Sequence, residues 1–306
     1  MAIVTPQLLT SLFTGYQASF QNGLGMAEPQ YTKIASVIKS ASASNTYGWL
    51  GQWPGFREWI GDRTIKDMEA QGYQIFNKQF ESTVGVKRTD IEDDNLGIYT
   101  PMMQEMGRAT NVFPDELIFP LLKAGFASEC YDGQYFFDTD HPVNDQVDGQ
   151  GEDASESNVL IDAGYTGEAW YLLDTSRALK PLIYQERKMP KLVSMTKEDD
   201  ESVFMRGEYR YGVDLRCNAG FGFWQMAHGV KADLTLDNLW AAYSAMRQRT
   251  ADGGRPLGIK PNMLVIPASL EKQATQLLER ELFVDGTDHV SNEMKGKFEI
   301  VIPDYL

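Results

Sequence analysis

The residues best equipped for chemistry fall together in Asp138-Thr139-Asp140-His141, two carboxylates and an imidazole within four positions. Such a set can hold a divalent metal, so a metal-dependent hydrolase using Asp138, Asp140 and His141 is one reading of the chain. The pattern is short, and the other histidines, His228 and His289, stand in no matching motif. Pro142 follows at once, and a turn whose aspartates cap backbone amides explains the same residues without a metal. No GxSxG elbow, P-loop, HExxH helix or paired CxxC occurs. Gly220 and Gly222 in AGFGF sit on a predicted strand without the following helix that a dinucleotide fingerprint needs. Cys130 and Cys217 are too few for a disulfide framework and too far apart for metal-ligand spacing, and are expected as buried free thiols. No catalytic, cofactor-binding or metal residue is therefore assigned, and the structural reading of Asp138 to His141 is preferred.

The element that dominates the chain is the stretch from Tyr47 to Phe126. Its first part carries Trp49, Trp53, Phe56, Trp59 and Ile60 on an outgoing limb and Tyr73, Ile75, Phe76, Phe80, Val84 and Val86 on a return limb. These strand formers, spaced near a period of two, predict a long two-stranded arm. A two-stranded ribbon cannot bury so many aromatics by itself, so the arm is expected to pack on another subunit. Ile98, Met102, Met106, Ala109 and Phe113 then recur at helical spacing behind a cap at Asp93, Asp94 or Asn95. Pro101 falls in the first turn, Pro114 is expected to open a second segment, Pro120 to bend or break the helix, and Gly125 to end it.

These phrases, YGWLG, REWIGDR, IEDDNLGIYTP, LLKAGF and YDGQYFFDTDHP, closely resemble the major head subunit of Mu-like transposable bacteriophages. So do AWYLLDTSRALKPLIYQERK, VFMRGEYRYGVD, GFGFWQMA and GGRPLGIKPNMLVIPASLE, which carry the likeness over nearly the whole chain. Spacing alone implies only self-association. The resemblance implies an α+β chain of the Hong Kong 97-type capsid fold, with an N-terminal arm, an extended β-hairpin loop, a spine helix, and peripheral and axial domains. It further implies a subunit that assembles with itself, as pentamers and hexamers, into an icosahedral shell around double-stranded DNA. A scaffolding protein and a portal are the expected partners, with no membrane and no cofactor, and the virion head, assembled in the host cytoplasm, the expected location. A non-head virion protein is the milder alternative.

Composition agrees with a shell subunit. The 306 residues, 42% of them hydrophobic, can bury a sizeable core. A formal charge of -15 argues against a nucleic-acid-binding surface, whose usual footprint is basic, but suits a wall past which confined DNA slides. The chain has no apolar run long enough to span a membrane and no basic-then-apolar leader.

Along the rest of the chain, Thr5 and Pro6 predict a helix to about Gln21, with Leu8, Leu9, Leu12, Phe13, Tyr16 and Phe20 as its apolar stripe. That stripe covers either its own domain or a neighbour. Eight acids without a Lys or Arg between Asp138 and Asp162 predict a solvated loop. Residues 169–228 read as consecutive antiparallel strands, one of them from Val203 to Val213, and Thr235 as the cap of an amphipathic helix. Strands at Asn262 to Ile266 and Phe298 to Ile302, around a helix from Pro267, complete an α/β layer. The expected divisions are 1–46 (N-terminal arm), 47–90 (extended loop), 91–232 (peripheral domain) and 233–306 (axial domain). The expected intersubunit contacts are Trp53, Phe56, Trp59, Arg63, Ile65, Tyr73, Phe76 and Arg88.

Overall fold

The structure, a computed structural model, describes residues 4–48, 50, 72–93, 96–146, 151–285 and 288–306. Thr5 opens α1 (Pro6–Leu24), its hydroxyl accepting the Leu8 amide at 3.2 Å, with Pro6 where a missing N–H costs nothing. After α2 (Tyr31–Ile34) and β1 (Ala35–Lys39), β2 (Ser44–Thr46) and β3 (Gln74–Phe76) pair antiparallel across residues 47–73. β4 (Lys78–Lys87) leads through α3 (Arg88–Glu92) into the 26-residue α4 (Tyr99–Ala124). β5 (His141–Asn144) and β6 (Asp153–Glu156) form a hairpin, followed by β7 (Val159–Ile161), β8 (Trp170–Leu173), β9 (Leu182–Met195), α5 (Glu201–Arg206) and β10 (Glu208–Phe221). The chain closes with β11 (Ala227–Lys231), α6 (Leu236–Gln248), β12 (Thr250–Ala251), β13 (Arg255–Pro256), β14 (Met263–Val265), α7 (Glu271–Glu279), β15 (Leu282–Asp285), β16 (Asp288–Ser291) and β17 (Glu299–Val301).

Two sheets share α4. The first has the order β1-β9-β10-β4, and its inner face, with Leu192, Tyr209, Tyr211, Val213 and Val86, packs with Met103 and Met106 of α4 and Tyr16 and Phe20 of α1. The second, β17-β14-β8-β11-β7, joins the larger core, which takes in Ile118, Phe119 and Leu122 from the other end of α4. WYLL thus pairs with 263–265 on one side and with AHGVK on the other, and AHGVK pairs in turn with Val159–Ile161, so a division at 232/233 would part β8 and β11 from β14. The expected run of consecutive antiparallel strands is corrected to strands distributed between two sheets, because register partners here are set by non-local pairing.

Local differences have identifiable causes. Val203 to Arg206 are helical, and the strand starts only after Gly207, whose φ of 61° supplies the left-handed residue that ends α5. PLIYQ and KLVSM are one 14-residue strand rather than two; Pro190, which cannot donate to a ladder, sits where the pairing with β10 shifts register between Asp214 and Arg216. Asp93 closes α3 instead of capping the spine helix, and α4 runs through both Pro114 and Pro120 to its end at Gly125. Each proline removes one helical hydrogen bond, which packing of the buried face outweighs. Part of the acidic stretch is the β5–β6 hairpin, tied by Asn144, whose side chain donates to Gly151 O and Asp153 Oδ1 and accepts from the Gln146 and Gly151 amides. Thr235 caps α6 as expected, and Cys130 and Cys217 are buried and free.

Of the two readings of the first helix, docking on its own chain is the one observed. α1 crosses α4 at two glycines. A Cβ on Gly23 would overlap the Gln104 carbonyl, and one on Gly107 the Phe20 carbonyl, so the backbones approach more closely than any side chain permits. The connector is then fastened by Asp115 of α4, whose buried carboxylate accepts the Gln30 amide at 2.9 Å and the Tyr31 amide at 2.7 Å. Burial raises this carboxyl above its usual value, and the two amides oppose the rise. Gly107→Ala should therefore cost roughly 1–3 kcal/mol in urea unfolding of the subunit, through overpacking. Gly15→Ala, on a part of α1 with open space around it, should instead add about 0.5–1 kcal/mol.

Candidate assembly surface and a buried Cys-Asp-His cluster

The three residues that suggested metal chemistry do not converge. His141 is fully buried, stacked on Trp224 with ring centroids 4.0 Å apart, and its Nδ1 lies 2.7 Å from Asp132 Oδ2. Asp138 instead caps its own turn, accepting the Tyr135 amide at 3.2 Å and the Thr139 amide at 2.8 Å, and Asp140 is exposed. Asp140 titrates above its ordinary value, from residual desolvation and from the hydrogen bond and charge of Asp138. The hydrolase reading is thus corrected: alternation along β5 turns His141 inward while the aspartates stay in the preceding turn. What His141 does meet is a pair the sequence did not announce, since Asp132 Oδ1 also accepts from Cys130 Sγ at 3.0 Å and from the Gln134 amide at 3.2 Å. Burial alone would raise the Asp132 carboxyl, but hydrogen bonds from His141 and Cys130 outweigh it and hold the group below the usual range.

The other functional feature is the base of the arm. The Tyr47 amide donates to Tyr73 O at 2.8 Å, beside the β2–β3 ladder, so the two ends of the arm meet at one place. The base is clamped to the first sheet from below. Gln185 of β9, fully buried, accepts from the Tyr47 hydroxyl at 2.7 Å and donates to Ile75 O at 3.0 Å and Asn77 Oδ1 at 2.8 Å. The Tyr73 hydroxyl accepts the Phe221 amide at 2.9 Å, and burial pushes this phenol up to about 12. Gly220 has no Cβ where Ile75 sits, so the clamp closes tightly. The return limb is consequently divided: Ile75 and Val86 are core residues, and β4 pairs with β10 from Lys87↔Glu208 to Lys78↔Cys217 instead of extending a free hairpin.

Comparison with known proteins decides what this architecture is for. The family described as Mu-like prophage major head subunit gpT matches residues 9–306. The chain belongs to that family. It is similar to the major capsid protein of Escherichia phage Mu, 57% identical over 304 residues that make up 99% of this chain and all of the relative. Among solved structures it is similar to the procapsid of bacteriophage JBD30, with a TM-score of 0.84, 58% identity, and 98% and 99% of the two chains covered. It is also similar to the JBD30 capsid decorated with minor capsid protein trimers, with a TM-score of 0.76, 40% identity and both chains fully covered. The chain is a phage major capsid protein with the Hong Kong 97-type α+β fold, a structural component of the head rather than an enzyme.

Several residues of the first sheet and of α5 are exposed. Of the expected contacts, Trp53, Phe56, Trp59, Arg63 and Ile65 lie outside the described residues. Tyr73 is spent on the clamp, Phe76 is 61% exposed, and Arg88 pairs with Glu92 one turn on, with Nε 3.0 Å from Oε1. That hydrogen bond raises the Arg88 guanidinium above its ordinary value. The basic residues Lys188 and Arg210 meet Asp214 and Glu208 of the same chain. Sequence reasoning missed a second apolar surface: Met189, Val193 and Met195 of β9 and Phe204 and Met205 of α5 are all exposed, the last two by 81% and 71%. Val193 and Met195 stand opposite Gly212 and Arg210, on the face turned away from α1 and α4, and the apolar residues of VFMR were the available signal.

The two halves of Asp138 to His141 should separate on mutation. His141→Ala, which empties a slot on Trp224 and strips Asp132 of a partner, should lower subunit stability by roughly 2 kcal/mol or more in chemical unfolding. Asp140→Ala should leave the melting temperature unchanged, as expected of an exposed turn residue.

Proposed function

We propose that this capsid protein closes, as pentamers and hexamers, into an icosahedral shell around double-stranded DNA, with residues 51–71 of each copy lying over a neighbouring copy. The observation that carries the role of the arm is the clamp at its base. Both ends of an aromatic-rich segment are fixed side by side on β9 and β10, which gives that segment a rigid seat. Trp53, Phe56, Trp59, Arg63 and Ile65 are its contact residues, with Phe76 at the foot. Arg88 adds a charge beside the neighbour, where complementary pairing sets orientation more than affinity. The charge of -15 supports an inner wall that encloses DNA without reading its sequence. A scaffolding protein and a portal complete the assembly in the host cytoplasm, and the virion head is its final location. Minor capsid protein trimers of the kind that decorate JBD30 are a further partner. Among the described residues no helix is long and apolar enough to cross a membrane.

Replacing residues 52–70 with a short Gly-Ser linker tests the reading. The clamp and both sheets lie outside the replaced residues, so the subunit should keep its circular dichroism and its melting transition. Closed particles should be lost in negative-stain images. Particles of normal size and yield from this variant would contradict the arm's role.

A further inference from the structure

Among the described residues, Cys130, Asp132 and His141 form the group of metal-ligating side chains whose donor atoms all lie within 4.8 Å of one another. Cys130 and Asp132 come from the irregular segment after α4 and His141 opens β5, and the carboxylate sits between the thiol and the imidazole, at 3.0 Å and 2.7 Å. His141 uses only its Nδ1 edge, since the buried Nε2 has no hydrogen-bond partner among the described residues. A phenyl ring would stack on Trp224 without leaving a nitrogen unpaired, so the imidazole is present for what Nδ1 faces. We propose that Cys130, Asp132 and His141 are a structural zinc site of the capsid subunit, held shut by hydrogen bonds when no metal is bound.

The donor set fits that ion. Sulfur, nitrogen and oxygen together are zinc's chemistry, whereas calcium and magnesium require oxygen alone. Charge also balances, because one thiolate and one carboxylate neutralise the dication, and a neutral imidazole adds none; a fully buried site demands such neutrality. Metal–ligand lengths of about 2.0–2.3 Å place the donors about 3.3–3.7 Å apart, a small opening from the hydrogen-bonded distances. On binding, the thiol of Cys130 loses its proton to solvent and the imidazole takes the Nε2–H tautomer, leaving the Nδ1 lone pair for the metal. Water takes the fourth position. The surroundings already orient the donors: the Gln134 amide holds Asp132, Trp224 fixes the ring plane, and Gly133, at a φ of 85°, lets residues 130–134 turn back on themselves. Because the thiol must give up its proton to bind, uptake weakens as pH falls.

The test uses assembled particles purified without chelator, with zinc counted by inductively coupled plasma mass spectrometry. About one zinc ion per chain is expected, falling below about a tenth in Cys130→Ser. A readout on the unmutated chain guards against a variant that fails to fold. Stripping particles or subunits with dipicolinate should lower the melting temperature, ZnCl2 should restore it and MgCl2 should not. Refolding with CoCl2 should give visible d–d absorption and a near-ultraviolet thiolate charge-transfer band. Zinc-free particles whose melting ignores both chelator and ZnCl2 would overturn the proposal and leave a hydrogen-bonded core triad. Zinc retained in Cys130→Ser would overturn it equally, by placing the metal elsewhere. Normal shells without zinc would sink this inference and leave the assembly reading untouched.

Discussion

Strand β10 is hydrogen-bonded along both edges, to β9 and to β4, and its inward residues Tyr209, Tyr211 and Val213 lie on the core shared by α1 and α4. A slip of one residue along either ladder would turn those side chains to the opposite face, so the register is fixed by burial. Everything the subunit presents outward inherits that register. The base of the arm sits at the Cys217 to Phe221 end of β10, where Tyr73 and Gln185 lock it, while α5 and the exposed apolar face sit at the other end. The base of the arm and the exposed apolar residues are thereby held a fixed strand length apart.

Buried polar groups do the fastening that the apolar core cannot. Asp115 holds the connector to α4, and Asn158 joins the Asp138 turn to the core, accepting the Asp138 amide and donating to Phe136 O. Arg249, fully buried, donates to the Gln225 and Ala227 carbonyls and to His228. Burial draws its guanidinium down to about 9, and burial together with that neighbouring cation pushes His228 well below the usual imidazole range. A neutral His228 can then accept from Arg249, which is what keeps the cation tolerable inside the second sheet. Each of these groups ties an irregular segment to a regular one, a task for which directional bonds are better suited than contact area.

Elements with local signals were legible in the sequence. Thr5-Pro6 and Thr235 marked their helices, and Gly125 marked the end of α4. What depended on partners distant in sequence was hidden. Nothing in WYLL says that it pairs with Met263 to Val265, and nothing in Gly23 or Gly107 says that a second helix crosses there. The surroundings of His141 were hidden for the same reason. His141 stood beside two aspartates in sequence, but its partner is Asp132, nine residues back, and the pleat of β5 decides which carboxylate it meets. The family likeness was legible because it rests on residue identity rather than geometry, and it carried the functional reading where spacing alone stopped at self-association.

The central claim is that a clamped, preformed seat on β9 and β10 presents residues 51–71 to a neighbouring copy. Hydrogen–deuterium exchange, read by peptide mass spectrometry on free subunits and on closed particles of the same preparation, tests it most directly. The account predicts that peptides from residues 209–221 are protected alike in both states, and that peptides from residues 52–70 gain strong protection only in particles. Equal exchange of residues 52–70 before and after assembly, or protection of residues 209–221 that appears only in particles, would contradict it.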